Sequence, residues 1–136
     1  MNHHDSIFVT EPDLVRLRDI NNDSSLAAEL DRAVVLSSGP IPPDLVTMNS
    51  SLVFEDQNTG EHREITIVFP QDANVERGNV SVLAPLGTAL LGLSVGQTIV
   101  RPFPDGSTRA LRVVRLMYQP EAAEDALRED WQGRLG

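Results

Sequence analysis

The sequence predicts an α+β protein: a short antiparallel helical hairpin followed by an antiparallel sheet wrapped on one short helix. Three observations carry this. Leu52–Glu55 and the alternating Ile65, Ile67 and Phe69 flank Asn58-Thr59-Gly60, and Gln97–Phe103 and Thr108–Tyr118 flank Pro104-Asp105-Gly106. Each is a hairpin pattern with turn chemistry at its centre. Between them, Ser81–Gly96 reads as strand end, proline-started helix and glycine stop. Pro85 fits a first helical turn, where a missing N–H costs nothing, Leu86 and Leu90 share one helical face, and Gly92 and Gly96 can close the helix. Val80–Leu83 supplies the lone strand, so the helix plugs an open, curved sheet.

The preceding elements follow in order. Residues 1–9 read as a frayed end in which Ile7-Phe8-Val9 is the apolar piece available to tie it down. Thr10 with Asp13 three residues on resembles a capping box, with Pro12 in the first turn, and predicts a helix from about Glu11 to Asp19. Asn21-Asn22-Asp23-Ser24 is a turn and cap cluster. Leu26, Leu30, Ala33 and Val34 then follow the i, i+4, i+7, i+8 spacing of an amphipathic helix. Both helices fall below the ~12–15 residues at which an isolated helix becomes marginal, so packing must hold the hairpin. Ser37–Pro43 has linker composition, and its prolines make it extended and stiff. The predicted organisation is a hairpin over 1–38, a proline-rich linker over 39–50, the sheet domain over 51–120 and an acidic tail over 121–136, read as a short solvated helix.

Composition sets the limits on function. With 136 residues, 40 % of them hydrophobic, the chain can build one core and a small appendage. The absence of cysteine excludes a disulfide framework, a thiol nucleophile and a cysteine-ligated metal. No basic stretch precedes an apolar run at the amino terminus, and nowhere do about 18 apolar residues occur together, which predicts a cytoplasmic protein without a membrane segment. Residues 1–64 carry twelve acids against four arginines, residues 65–119 three against five, and residues 120–136 five against two. The local charges are −8, +2 and −3, within a net −9. Such a chain is repelled by nucleic acid at long range, so at most a docked, local contact is expected and protein partners are favoured.

Few residues are available for catalysis. His3 and His4 lie at the frayed end and His62 beside a turn, with no second histidine or cysteine to complete a transition-metal site. Gly87, Gly92 and Gly96 are spaced as helix punctuation and precede no Lys-Ser/Thr pair, so there is no phosphate loop. Ser81, Ser94 and Ser107 have no neighbouring base. Asp19 and Asp23 flank the turn of the helical hairpin; two carboxylates at a tip suit a hard cation such as Mg²⁺, but a helix cap and a solvated acid are the simpler reading. Arg101, Arg109 and Arg112 fall on the second hairpin as candidates for an anion contact, against the alternative of cross-strand ion pairs. Arg109 and Arg115 share a strand parity that Arg112 lacks, so one basic face needs a bulge. No metal and no cofactor are expected.

The central stretch also carries a family resemblance. Ser81-Val82-Leu83-Ala84-Pro85-Leu86-Gly87-Thr88-Ala89-Leu90-Leu91-Gly92, Val95-Gly96-Gln97, Pro104-Asp105-Gly106 and Met117-Tyr118 closely resemble the carboxy-terminal domain of the bacterial Gre transcript-cleavage factors. Ala28–Ala33, Pro43–Ser50 and Tyr118–Ala123 look like motifs of one subgroup, the regulators of nucleoside diphosphate kinase. The likeness runs from about Glu29 to Ala123. It implies a carboxy-terminal domain of the peptidyl-prolyl isomerase-like (FKBP) fold and an amino-terminal antiparallel coiled coil.

The resemblance also implies a partner. In Gre factors the FKBP-like domain docks on RNA polymerase at the rim of the secondary channel, and a long coiled coil carries an acidic pair that holds a Mg²⁺ ion for transcript hydrolysis. By motif, Leu83, Ala84, Pro85, Leu86 and Gly87 match the loop that meets polymerase. The finger does not match: a helix over Glu11–Asp19 extends on the order of 15 Å, whereas Gre-type factors give it about half their chain. Asp19 and Asp23 are therefore not carried over as catalytic. With one Trp, one Tyr and four Phe, the aromatic-lined proline pocket of active isomerases lacks most of its material. The expected function is a non-enzymatic, monomeric regulator that binds core polymerase and competes with Gre factors. The alternatives are transcript cleavage assisted by Asp19 and Asp23, and an indirect effect on nucleoside diphosphate kinase and nucleotide pools.

Overall fold

The computed structural model describes residues 7–20, 25–37 and 40–135, the side chains of residues 25 and 128–135 excepted. Strand β1 (Phe8–Thr10) leads into helix α1 (Glu11–Ile20), and helix α2 (Ser25–Arg32) into strand β2 (Val34–Leu36). Strands β3 (Ser51–Asp56) and β4 (Glu61–Val68) form the first hairpin, and two 3-10 turns at Pro70–Asp72 and Val75–Arg77 lead to β5 (Asn79–Ser81). Helix α3 (Pro85–Leu90), the hairpin of β6 (Thr98–Pro102) and β7 (Thr108–Tyr118), and helix α4 (Pro120–Leu135) complete the order. The predicted turn at 21–24, His3 and His4 lie outside the described residues.

The amino-terminal end is tied down by pairing. β1 runs parallel to β2 with Phe8 opposite Val34, and the Val34 amide donates to Ile7 O at 2.9 Å. Val34 is thus a strand residue and not the end of a helix as its spacing predicts. Its β-branched neighbour Val35 favours extended backbone, and the Ile7 carbonyl offers it a ladder partner. Ile7 and Val9 are buried. Thr10 then caps α1, its Oγ1 accepting the Asp13 amide at 3.2 Å.

The five-stranded sheet has the order β5-β4-β3-β7-β6. Its register is set by alternation: Leu52, Phe54, Ile65, Ile67, Leu111 and Val113 are all buried on the inner face. The expectation of an antiparallel sheet needs one correction, because β5 pairs with β4 in parallel, Ile67 opposite Val80. Ten residues separate the two strands, and the two 3-10 turns carry the chain back along the sheet where a tight hairpin would have reversed it. The pairing of β3 with β7 shifts register between Val53 and Phe54, leaving Val114 without an opposite residue. That bulge puts Arg112, opposite Glu55, and Arg115, opposite Val53, on the same outer face.

One core joins the amino-terminal helices to the sheet: Leu17, Leu26 and Leu30 belong to the same buried cluster as Met48, Phe54, Val82, Leu90 and Val113. An eight-residue helix such as α2 is not stable alone. Burial of Leu26 and Leu30 supplies on the order of 1.5–3 kcal/mol each.

Residues 44–50, within the predicted linker, are stitched into this core. The Val46 amide donates to Leu93 O at 2.8 Å and the Gly92 amide to Val46 O at 2.9 Å. Leu45, Val46 and Met48 are fully buried. Thr47 and Ser50 close a tight turn, the Thr47 amide donating to Ser50 Oγ at 3.0 Å. Asn49 takes φ +67° there, a left-handed conformation that asparagine tolerates. Asp13 of α1 reaches this turn, its Oδ2 accepting the Met48 amide at 3.1 Å.

Burial pushes the Asp13 carboxyl above its ordinary value of 3.8, and the nearby Glu121 adds to the rise, while the bonds from Met48 and Thr10 and the Arg16 charge oppose it. A raised folded-state value means that the stabilising contribution is fully present below pH 3.8 and is lost as pH rises through the folded value. Asp13→Asn keeps an acceptor for Met48 without the desolvated charge. Thermal unfolding followed from pH 3 to pH 7 should therefore show the variant gaining on the parent as pH rises; a constant difference would contradict this.

Candidate functional site

The corner from Leu83 to Gly87 is built by the end of β5 meeting the start of α3. Ser81 organises it: its Oγ accepts the Leu83 amide at 3.1 Å and its carbonyl accepts the Ala84 amide at 3.0 Å. Ala84 stays extended at φ −69°, ψ 150°, the conformation a residue before proline prefers, and Pro85 starts the helix. The Thr88 hydroxyl donates back to Val82 O at 2.7 Å, locking the first turn of α3 onto the strand.

Gly87 fixes how close helix and strand can come. A Cβ there would collide with the Ser81 carbonyl oxygen and stand 3.0 Å from Val82 Cα. Only glycine permits this approach. The corner therefore divides by exposure: Gly87 is buried, Ala84 and Leu86 are half-buried, and Leu83 and Pro85 face solvent.

Two depressions flank the corner. A groove of about 400 Å³ runs between Pro85, Thr88 and Ala89 of α3 and the Arg101–Pro104 segment, with Glu29 of α2 at its edge. On the other side a cleft of about 380 Å³ lies between the two hairpin turns, with Phe54 and Leu86 among its walls and Arg63 and Arg109 at its rim.

The three candidate arginines are each committed to a carboxylate. Arg101 pairs with Glu29, whose side chain is 7 % exposed and which also accepts from Arg32 at 3.0 Å. Arg109 bonds Asp105 at 3.0 Å and lies 4.6 Å from the centroid of the Phe103 ring. The Ser107 hydroxyl and amide, ahead of Arg109, hold the Asp105 carboxyl down at about 2. Arg112 faces Glu55 at 3.5 Å, the cross-strand pair that their register creates. Arg109 shares the face of Leu111 and Val113, so the three do not converge on one surface.

Asp19 is exposed near the end of α1, and its proposed companion Asp23 lies outside the described residues. Among the described residues no three His, Cys, Asp or Glu side chains group as a metal site. No helix among them is long and apolar enough to cross a membrane. Glu29 was missed as a structural link. Its signal was available: a carboxylate three residues after Leu26, on the apolar stripe of a helix, requires a cationic partner.

Gly87→Ala should destabilise the fold by about 1–3 kcal/mol, the usual range for overpacking, measured by denaturant unfolding. Unchanged stability would contradict the close approach.

The sequence around the corner is shared with known proteins. Residues 41–118 match the family described as transcription elongation factor, GreA/GreB, C-term. A "Regulator of nucleoside diphosphate kinase" from Escherichia coli is 47 % identical over 103 residues, covering 76 % of each chain. A "Transcription elongation factor GreA" from Solidesulfovibrio magneticus is 30 % identical over 100 residues, covering 74 % of this chain and 61 % of that one. The solved structure of a GreA/GreB factor from Nitrosomonas europaea superposes with a TM-score of 0.65 at 36 % identity, over 83 % of this chain and 98 % of that one.

Proposed function

Because the chain belongs to the family of transcription elongation factors that share the GreA/GreB carboxy-terminal domain, we propose that it is a regulator docking on core RNA polymerase. The contact is made at the rim of the secondary channel through the face around Leu83, Ala84, Pro85, Leu86 and Gly87. It acts there by competing with Gre factors, as a cytoplasmic, non-enzymatic protein that needs no cofactor.

The observation that carries this reading is a mismatch of parts. The family match spans the whole corner, whereas α1 and α2 have only 10 and 8 residues. At 1.5 Å per residue α1 is on the order of 15 Å long, too short for the finger that cleavage requires. Leu83 and Pro85 supply apolar contact at the exposed edge of the corner, and Ser81, Thr88 and Gly87 hold its backbone before any partner arrives. Such preorganisation reduces the ordering entropy that association must overcome.

Pro85→Arg places a charge on that face at a position whose amide takes no part in the helix ladder. It should reduce affinity for core polymerase at least about tenfold, ~1.4 kcal/mol, with thermal stability little changed. A pull-down showing no binding by the parent, or equal binding by the variant, would refute the docking reading.

If the chain instead assists cleavage, Asp19 is the carboxylate to test. Adding parent or Asp19→Ala protein to backtracked polymerase complexes should leave the transcript length unchanged in both cases. Shortening by the parent that Asp19→Ala abolishes would establish the enzymatic alternative. The name of the 47 % identical relative also admits an effect on nucleoside diphosphate kinase. On the present reading that effect is indirect and reaches nucleotide pools through transcription.

A further inference from the structure

The polar contacts around residues 42–50 give α4 a role that polymerase docking does not use. Gln119, at the N-cap position of α4, donates from Nε2 to Pro42 O at 2.8 Å and to Leu45 O at 2.7 Å, while its Oε1 accepts the Ala122 amide at 3.1 Å. Glu121 in the first turn accepts from Thr47 Oγ1 at 2.7 Å. Gln119 and Thr47 are buried, and the Gln119–Leu45 bond is shielded from water, while the bonds to Pro42, Glu121 and Ala122 are partly so. Thr47 is followed directly by Met48, whose amide is the donor to Asp13 of α1. Two adjacent residues of one tight turn are thus gripped by the carboxy-terminal helix and the amino-terminal helix.

We propose that the first turn of α4 is a latch: by holding the Thr47–Ser50 turn it fixes α1 on the sheet domain, and displacing α4 loosens α1 without unfolding the sheet. The inference does not depend on polymerase binding. Asp13 and Glu121 approach the turn with like charges, so the Thr47 hydroxyl and the Gln119 amide hold α4 in place against their repulsion. Further along α4, Glu124, Ala126 and Leu127 face solvent. α1 has other holds, Leu17 in the core and Arg16 stacked 4.0 Å from the centroid of the Phe69 ring. Release therefore loosens α1 and leaves it attached.

Amide hydrogen exchange on the full chain tests the latch. Glu121→Ala removes the α4 acceptor alone, from a half-buried position less prone to misfolding, and Thr47→Val removes the hydroxyl donor together with its 3.0 Å bond to Ser50 Oγ within the turn. In both, the Met48 amide and the amides of α1 should exchange about tenfold faster or more, while those of β3 and β7 stay within about twofold of the parent. Unchanged exchange in α1, or equal acceleration throughout the sheet, would overturn the proposal.

Discussion

The close approach of α3 to the end of β5 is the contact on which the rest depends. Gly87 rests on the Ser81–Val82 backbone, and this lets a six-residue helix lie deep enough for Leu90 to reach the floor of the core. A helix this short has no stability of its own. It is held by the Thr88 hydroxyl returning to Val82 O and by the sheet it fills. The sheet in turn has part of its inner face covered by this helix, beside the amino-terminal helices and the 44–50 segment. The backbone order that packing demands is also what holds Leu83 and Pro85 outward, so one constraint serves both the core and the proposed docking face.

A second constraint unites the ends of the chain. The segment 42–50 receives Asp13 from one side and Gln119 and Glu121 from the other, and its own Leu45, Val46 and Met48 enter the core. Glu29 does similar work for α2 through Arg101 on β6. The amino-terminal helices are consequently held against the sheet domain by buried apolar side chains and by polar contacts that specify direction. Charge pairing at exposed sites such as Arg18–Asp31, 3.2 Å apart, adds little to this.

Much of the fold could be read from residue types. Turn chemistry at Asn58-Thr59-Gly60 and Pro104-Asp105-Gly106 located both hairpins, and Pro85 with Gly92 located α3, because proline and glycine restrict backbone geometry locally. Strand order and direction are set by non-local pairing, so the parallel β4–β5 contact and the Val114 bulge had no local signature. Val34 shows the same limit: its helical spacing was real, but the Ile7 carbonyl, distant in sequence, claimed it for a strand. The corner itself was visible as a motif, whereas its division into an outward Leu83 and Pro85 and an inward Gly87 required the fold. The pairs that neutralise Arg101, Arg109 and Arg112 depended on which faces the strands turned, and the bulge decided that for Arg112 and Arg115.

Competition for core polymerase tests the central claim most directly. Fluorescently labelled GreA would be bound to core enzyme and titrated with this protein, with transcript length followed in the same samples. The account predicts full displacement of GreA by the parent chain, lost in a variant altered at Pro85, with the added protein itself causing no transcript shortening. Simultaneous binding of both proteins, or no displacement at any concentration, would contradict it.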